Sequence, residues 1–253
     1  MRQPLRVSRP VPVPSPASDP PPVDIPVGTR QELRDEVVDR PVVSRVTAYR
    51  GLVWDVQRDV VDLGGAGQVT REYLEHPGAV VVVALREVDG IDHVALIRQY
   101  RHPVRSIEWE LPAGLLDEPG EPPWLAAARE LREEVDLVAS RWDVLLDFYS
   151  SPGGLSESLR IFLAREVAPV GTEDGDFVRH GEEAEIVARW VPLDEAYDAV
   201  LAGQVHNSGA VVGLMAAWGA RARGWAPLRP YDAPWPWHPA YREQGSGPPA
   251  RLP

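Results

Sequence analysis

Four glutamates lie close together in the middle of the chain, behind a loop rich in glycine and proline. The segment 129–134 reads RELREE, and seven residues separate it from Glu121. In a helix, Glu130 and Glu134 would lie one turn apart on the same face, where like charges repel each other. A hard cation such as Mg²⁺, which binds carboxylate oxygens, waters and substrate phosphates, would remove that repulsion. The spacing therefore predicts a divalent-metal site on Glu130 and Glu134, with Glu133 at its border.

The residues around these glutamates predict the helix that must carry them. Pro122 and Pro123 suit a helix start, because the first N–H groups of a helix have no partner within it. An apolar stripe at helical spacing follows, formed by Trp124, Leu125, Ala128, Leu131 and Val135. The alternative is a solvated helix face on which the glutamates pair with Arg129 or Arg132. That alternative leaves the loop sequence LPAGLLD at 111–117 without an explanation.

Short strands interleaved with a few helices are predicted for the rest of the chain. The run AVVVVAL at 79–85 is typical of a strand buried on both faces, and 94–99 is its expected hairpin partner across an Asp89-Gly90 turn. Further strands are expected at 43–50, 52–63, 68–76, 107–111, 143–149, 158–166 and 184–191, and helices at 193–202 and 208–222. This order favours an α/β layered domain with a mixed sheet.

The composition excludes several classes of function. The chain has 253 residues and a formal net charge of -12, which argues against binding to nucleic acid or to an anionic membrane. It contains no cysteine, so disulfides, thiolate zinc sites and cysteine nucleophiles are excluded. The six histidines are scattered without metal-binding spacing, and we interpret them as structural or surface residues. Neither a signal peptide nor a membrane span is predicted, so a cytoplasmic location is expected.

Proline is concentrated at both ends of the chain. Of 27 prolines, nine lie in the first 30 residues and eight in the last 27. Residues 1–38 are therefore predicted to form a disordered arm. The tail, residues 227–253, also contains Trp235, Trp237 and Tyr241. These aromatic residues allow two alternatives, a tail that docks on the body or on a second subunit and a tail that stays loose.

The glutamate-rich segment and its loop resemble the sequence signature of the Nudix hydrolases. That signature reads Gly, five residues, Glu, seven residues, then Arg-Glu-apolar-any-Glu-Glu-any-Gly-apolar. The matching positions are Gly114, Glu121, Arg129, Glu130, Leu131, Glu133, Glu134 and Leu137. The loop between Gly114 and Glu121 is longer by one residue, and Asp136 stands where the signature has glycine. Because that glycine ends the helix, we expect Asp136 to adopt a left-handed backbone conformation.

Segments that flank the signature resemble the ADP-ribose pyrophosphatase branch of the family. They are RQYR at 98–101, EWELPAG at 108–114, SPGGLSE at 151–157, EEAE at 182–185 and WVPLDEA at 190–196. The resemblance covers roughly residues 40–225. It implies Mg²⁺-dependent hydrolysis of ADP-ribose, a small-molecule nucleotide sugar, to AMP and ribose 5-phosphate, with Mn²⁺ as a substitute ion.

The resemblance also implies an architecture. We expect a Nudix-type α/β/α sandwich with a mixed β-sheet, preceded by a small N-terminal β-rich subdomain. The expected boundaries are 39–77 for the β subdomain, 78–226 for the catalytic domain and 227–253 for the tail. Relatives in this branch are typically dimers, so the β subdomain is expected to form a homodimer contact.

Carried over by position, the resemblance gives the site residues expected roles. The expected metal ligands are Glu130, Glu134, Glu133 and the carbonyl oxygen of Ala113. Arg129 is expected to hold these glutamates by ion pairing, with Glu121 further out. Glu157 is the expected general base for the attacking water. Arg101 and Glu110 are expected to contact the substrate. The alternatives are a solvated loop glutamate at 157 and a surface cation at 101.

Two other functions remain open at this point. One is a Nudix hydrolase that acts on another nucleotide sugar, a nucleoside triphosphate or another nucleoside diphosphate derivative. The other is a catalytically silent Nudix-like domain that binds a nucleotide metabolite as a sensor. The intact glutamates at 130, 133 and 134 argue against a silent domain.

Overall fold

The computed structural model describes residues 25–171, 186–226 and 228–242. The chain forms two compact units, Met1–Val37 and Val38–Pro253. In the described part of the first unit, a turn at residues 30–32 places the Glu32 carboxylate 2.6 Å from the backbone nitrogen of Thr29. Most of the predicted arm, the EEAE segment at 182–185 and the last residues of the tail lie outside the described residues.

The second unit begins with a three-stranded antiparallel sheet in the order β1-β2-β3. Its strands are β1 (Val42–Tyr49), β2 (Asp55–Asp62) and β3 (Gln68–Glu75). The predicted second strand begins three residues later than expected, because residues 52–54 form the connection from β1. Asp59 is buried on this sheet, and Arg45 binds it through two hydrogen bonds of 2.9 and 2.7 Å. A buried charge needs such a partner, and the two residues stand directly opposite each other in the pairing of β1 with β2.

An eight-stranded mixed sheet forms the centre of the second unit. Its strands are β4 (Ala79–Val88), β5 (Ile91–Arg101), β6 (Ser106–Glu110), β7 (Ala113–Leu115), β8 (Leu137–Tyr149), β9 (Ser158–Pro169), β10 (Val187–Pro192) and β11 (Arg229–Pro230). The order is β10-β5-β4-β9-β8-β11, with β6 paired to β5 and β7 paired to β4. The β4 and β9 strands run parallel, whereas the other pairs are antiparallel.

In the part of the chain that the structure describes, three α-helices cover the two faces of this sheet. They are α1 (Pro123–Val135), α2 (Leu193–Leu201) and α3 (Ser208–Arg221). Alternate residues of β4 enter two separate hydrophobic clusters, one with α1 and the other with α2 and α3. This explains why 79–85 is apolar at every position, as the sequence predicted, and it confirms the α/β/α sandwich. None of the helices in the described ranges is long and apolar enough to cross a membrane.

Strand β8 is longer than predicted. The sequence predicted a strand at 143–149, but the strand begins at Leu137, directly after α1. Its first residues include exposed or half-buried polar side chains, so the sequence there lacks the regular alternation of apolar and polar residues that indicates a strand. Pairing with β9 along nearly the whole length of β8 overrides this weak local signal.

Residues 228–242, here called the C-terminal strap, pack on the body of the second unit. Strand β11 pairs with β8, and Trp235 is only 2% exposed. Arg160 is buried and binds Asp147 through hydrogen bonds of 2.7 and 3.1 Å. The same guanidinium donates to the carbonyl oxygens of Ala233 and Pro234 and lies 4.7 Å from the centre of the Trp235 ring. Arg160 therefore fastens the strap to β8 and β9.

His238 joins the strap to the start of β4. Its Nδ1 accepts a hydrogen bond from the backbone N–H of Ala240, so the neutral ring carries its proton on Nε2 and donates it to the carbonyl oxygen of Pro77 at 2.7 Å. Burial lowers the pKa of His238 below its ordinary value of 6.5, and its effect is larger than that of the hydrogen bond to Pro77, which acts in the opposite direction. The folded strap therefore favours a neutral His238.

We predict that acid weakens the strap through His238. As the pH falls below about 6.5, the unfolded chain takes up a proton on this imidazole before the folded chain does, so the free energy of unfolding decreases. One such group can change the free energy of unfolding by at most about 1.4 kcal/mol per pH unit. Urea unfolding between about pH 7.5 and about pH 5 should show a shallower pH dependence for His238→Gln than for the native chain. An equal change of unfolding free energy with pH in both proteins would contradict this prediction. The control is His206→Gln, which changes an exposed histidine.

Candidate active site

The glutamate helix begins and ends as its sequence predicts. Pro122 precedes the first turn in an extended conformation, and α1 runs from Pro123 to Val135. Asp136 has φ 55° and ψ 39°, which is the left-handed conformation expected at this position. Its N–H bonds the carbonyl oxygen of Arg132 at 3.0 Å, and β8 follows at once. Replacing the glycine of the signature by Asp136 therefore leaves the helix end unchanged.

Arg129 lies among the glutamates and supplies part of the positive charge that they require. Its guanidinium contacts the Glu130 carboxylate at 2.5 Å, Glu133 at 3.2 Å and both oxygens of Glu121 at 3.1 and 3.2 Å. The hydrogen bond to Glu121 and the charge of Glu130 raise the pKa of Arg129, so the guanidinium is always protonated. The longer loop before Glu121 still brings that residue to the helix.

Glu134 is the buried carboxylate of the cluster. It is 7% exposed, and one oxygen accepts a hydrogen bond of 2.9 Å from the backbone N–H of Ala113. Burial, together with the negative charges of Glu130 and Glu110, raises the pKa of Glu134 to about 8, against the opposing effects of the Ala113 hydrogen bond and the charge of Arg101. A carboxylate in such surroundings favours a cation beside it.

Gly114 allows the loop to lie directly against Glu130. This glycine pairs with Val80 through β7, which brings its backbone onto the helix. A Cβ atom at position 114 would lie 2.0 Å from the carboxyl carbon of Glu130. A side chain at position 114 would therefore displace the Glu130 carboxylate, so glycine is favoured here by this contact and not by an unusual φ angle.

The expected substrate residues Arg101 and Glu110 form a pair. The Arg101 guanidinium donates two hydrogen bonds, of 2.8 and 2.7 Å, to the Glu110 carboxylate, and Gln99 donates a third at 3.3 Å. Glu110 is 2% exposed, whereas the Arg101 side chain is 42% exposed. The buried Glu110 therefore orients Arg101, and Arg101 is the member of the pair that is exposed to solvent.

Glu157 lies at the end of the loop that joins β8 to β9. One carboxylate oxygen accepts a hydrogen bond from the Ser150 hydroxyl, and the other lies 3.5 Å from Nε2 of His76. The Trp54 ring, which comes from the N-terminal sheet, packs on His76 at a centroid distance of 5.3 Å. The side chain of Glu157 is 17% exposed, which differs from the solvated loop glutamate of the alternative interpretation.

Sequence reasoning missed the involvement of His76. It treated the histidines as structural or surface residues, but His76 is buried and contacts the expected base. The available signal was the place of His76 at the end of a predicted strand, just before Pro77-Gly78. No spacing rule connects position 76 with position 157, because the fold alone brings β3 to the loop between β8 and β9.

The donor set around α1 fits a hard divalent cation. The residues that would hold it are Glu130, Glu134, Glu133 and the carbonyl of Ala113, all of which offer oxygen. Within the described ranges, no three or more histidine or carboxylate side chains are gathered closely enough to form a ready-made metal cage. Mg²⁺ does not need such a cage, because waters and substrate phosphates complete its coordination.

We predict that Gly114→Ala disrupts the site by pushing Glu130 away from the loop. The added methyl group would overlap the Glu130 carboxylate, and overpacking of this kind costs about 1–3 kcal/mol of stability. Chemical unfolding measures this loss directly. Gly219→Ala in α3 is the control for adding a methyl group, because no atom lies within 4 Å of the added carbon, and it should not lose stability. A Gly114→Ala variant as stable as the native chain would contradict the prediction.

Comparison with known proteins agrees with this geometry. The NUDIX domain matches residues 75–210. The chain is 44% identical over 197 residues to the ADP-ribose pyrophosphatase of Mycobacterium tuberculosis, covering 78% of this chain and 91% of that protein. It is 32% identical over 171 residues to the ADP-ribose pyrophosphatase of Bacillus subtilis, covering 68% and 88%. The fold matches a crystal structure of an ADP compounds hydrolase with a TM-score of 0.61 and 23% identity, covering 76% of this chain and all of that one. The chain belongs to the Nudix family and is a Nudix hydrolase.

Proposed function

We propose that this protein hydrolyses the diphosphate of ADP-ribose to AMP and ribose 5-phosphate, with Mg²⁺ as its ion and Mn²⁺ as a substitute. The observation that carries the proposal is the packing of the Ala113-Gly114 backbone against Glu134 and Glu130. It supports a metal site at the point where a diphosphate has to be neutralised. The substrate is supported by the two relatives that are named ADP-ribose pyrophosphatases.

The residues of α1 have separate tasks in this proposal. Glu130 and Glu134 hold the ion, with Glu133 and the Ala113 carbonyl as further ligands. When bound, a divalent ion neutralises the diphosphate and lowers the pKa of a coordinated water. Arg129 holds three of the glutamates in place through its contacts with Glu121, Glu130 and Glu133.

The reaction itself is a displacement by water. Glu157 takes a proton from the attacking water, whose oxygen forms a bond to one phosphorus. The bridging P–O bond breaks, and the phosphate that leaves with the bridging oxygen departs as the second product. Arg101 contacts the diphosphate, and Glu110 takes part in substrate binding by orienting Arg101. No covalent intermediate on the protein is required.

We further propose a homodimer in the cytoplasm, formed through residues 39–77. The outer strand β1 exposes apolar side chains, including Val43 at 55%, Val46 at 57% and Tyr49 at 65%. Exposed apolar side chains on a sheet favour a protein partner. Light scattering should give about twice the chain mass of 27.9 kDa, and Val46→Glu should shift the protein towards monomer. A native mass equal to one chain would reject the dimer.

The proposed activity is tested by a substrate screen with the native chain and Glu134→Gln. ADP-ribose with Mg²⁺ should yield AMP and ribose 5-phosphate, identified by mass spectrometry, at a higher kcat/KM than other nucleotide sugars and dinucleoside polyphosphates.

Glu134→Gln should lower kcat by more than the roughly 10–100-fold that accompanies loss of a group which only orients a metal ligand. Glu87→Gln, an exposed change on β4, is the control. A folded native chain that binds ADP-ribose without turnover would support the silent sensor instead. Unchanged kcat in Glu134→Gln would reject the metal assignment.

A further inference from the structure

The loop that carries Glu157 is attached to the N-terminal sheet by backbone hydrogen bonds. Leu74 of β3 accepts from the N–H of Ser156 and donates to the carbonyl of Gly154, both at 3.0 Å. The N–H of His76 donates to the Ser156 hydroxyl at 2.9 Å. A short parallel bridge between Leu74 and Leu155 completes this attachment. The end of β3 thus holds the residues just before Glu157 in place through these hydrogen bonds.

The His76 ring has a defined proton position. Its Nδ1 lies 3.0 Å from the backbone nitrogen of Gly78, which can only donate, so Nδ1 must accept. In a neutral imidazole the proton then lies on Nε2, the nitrogen that faces Glu157 at 3.5 Å. The ring is buried beneath Trp54, which restricts its rotation. Burial also lowers the pKa of His76, against the charge of Glu157, so the neutral ring is favoured.

Glu157 is therefore contacted from two sides. The Ser150 hydroxyl donates to one carboxylate oxygen, and Nε2 of His76 lies 3.5 Å from the other. A base that abstracts a proton from a water must present a lone pair in a fixed direction, which a single hydrogen bond does not ensure. A second contact, on the other oxygen, restricts the rotation of the carboxylate.

We propose that His76 is a positioning residue for Glu157, which it orients through the Nε2–H group while Gly78 fixes its tautomer. This inference rests on the proposed function, in which Glu157 is the base. It adds a role for the N-terminal sheet, since β3 and Trp54 hold both the histidine and the loop.

Two substitutions at position 76 distinguish the role of Nε2 from that of Nδ1. Gln has an amide nitrogen at roughly the reach of Nε2, whereas Asn reaches only the position of Nδ1. In hydrolysis of ADP-ribose with Mg²⁺, His76→Asn should lower kcat by about tenfold with little change in KM, and His76→Gln should restore most of that loss. The control is His93→Asn, a half-buried histidine on β5, which should leave kcat unchanged. Thermal unfolding of each variant checks that it is folded.

A double-mutant cycle with Glu157→Gln tests whether His76 acts through the base. If it does, the double variant His76→Asn/Glu157→Gln should be no slower than Glu157→Gln alone. The positioning role would be overturned if the kcat losses of the two single variants multiply in the double variant. It would also be overturned if His76→Gln does not restore kcat. If Glu157→Gln alone leaves kcat unchanged, the base assignment fails together with this inference, while the metal assignment stands.

The tautomer can be measured without turnover. Nitrogen-15 chemical shifts of the His76 ring should show a protonated Nε2 and a bare Nδ1 near neutral pH, and the Nε2 shift should change in Glu157→Gln. A proton on Nδ1, or an Nε2 chemical shift that is the same in the native chain and in Glu157→Gln, would overturn the inference. This holds even if ADP-ribose proves not to be the substrate.

Discussion

The structure depends on holding several glutamate side chains close together on one helix. Arg129 offsets part of this charge by contacting three glutamates, and Glu134 remains buried with a pKa raised to about 8. The neighbouring backbone accommodates this arrangement, since Gly114 leaves space for Glu130 and Asp136 ends the helix in a left-handed conformation. A divalent ion would relieve the remaining electrostatic repulsion and would also neutralise a diphosphate substrate.

The site is completed by segments that are far apart in the chain. The N-terminal sheet reaches it through the end of β3, which binds the loop before Glu157. The C-terminal strap reaches the same region from the other side, because His238 donates to Pro77 and Tyr241 donates to the Glu121 carbonyl at 3.4 Å. The short stretch at residues 76–78 therefore receives contacts from both ends of the second unit, and the Gly78 carbonyl accepts a hydrogen bond of 3.1 Å from Leu116 in the loop before α1.

The sequence was sufficient for the parts that depend on local pattern. The spacing of the glutamates, the two prolines before α1 and the apolar run at 79–85 predicted the helix and the central strand, which are confirmed. Contacts made by the fold could not be predicted in this way. The pairing of Glu110 with Arg101, the burial of Arg160 by the strap and the contact of His76 with Glu157 join residues whose local sequences carry no sign of each other. The early start of β8 was missed for the same reason, since β9 imposes it.

The central claim is that Glu130 and Glu134 form a divalent-metal site on α1. Electron paramagnetic resonance of Mn²⁺ titrated into the native chain and into Glu134→Gln tests it without reference to turnover. The claim predicts bound Mn²⁺ in the native chain, displaced by excess Mg²⁺, and affinity weaker by about tenfold or more in Glu134→Gln. Equal Mn²⁺ binding by the two proteins, or none by either with a nucleotide diphosphate present, would contradict it.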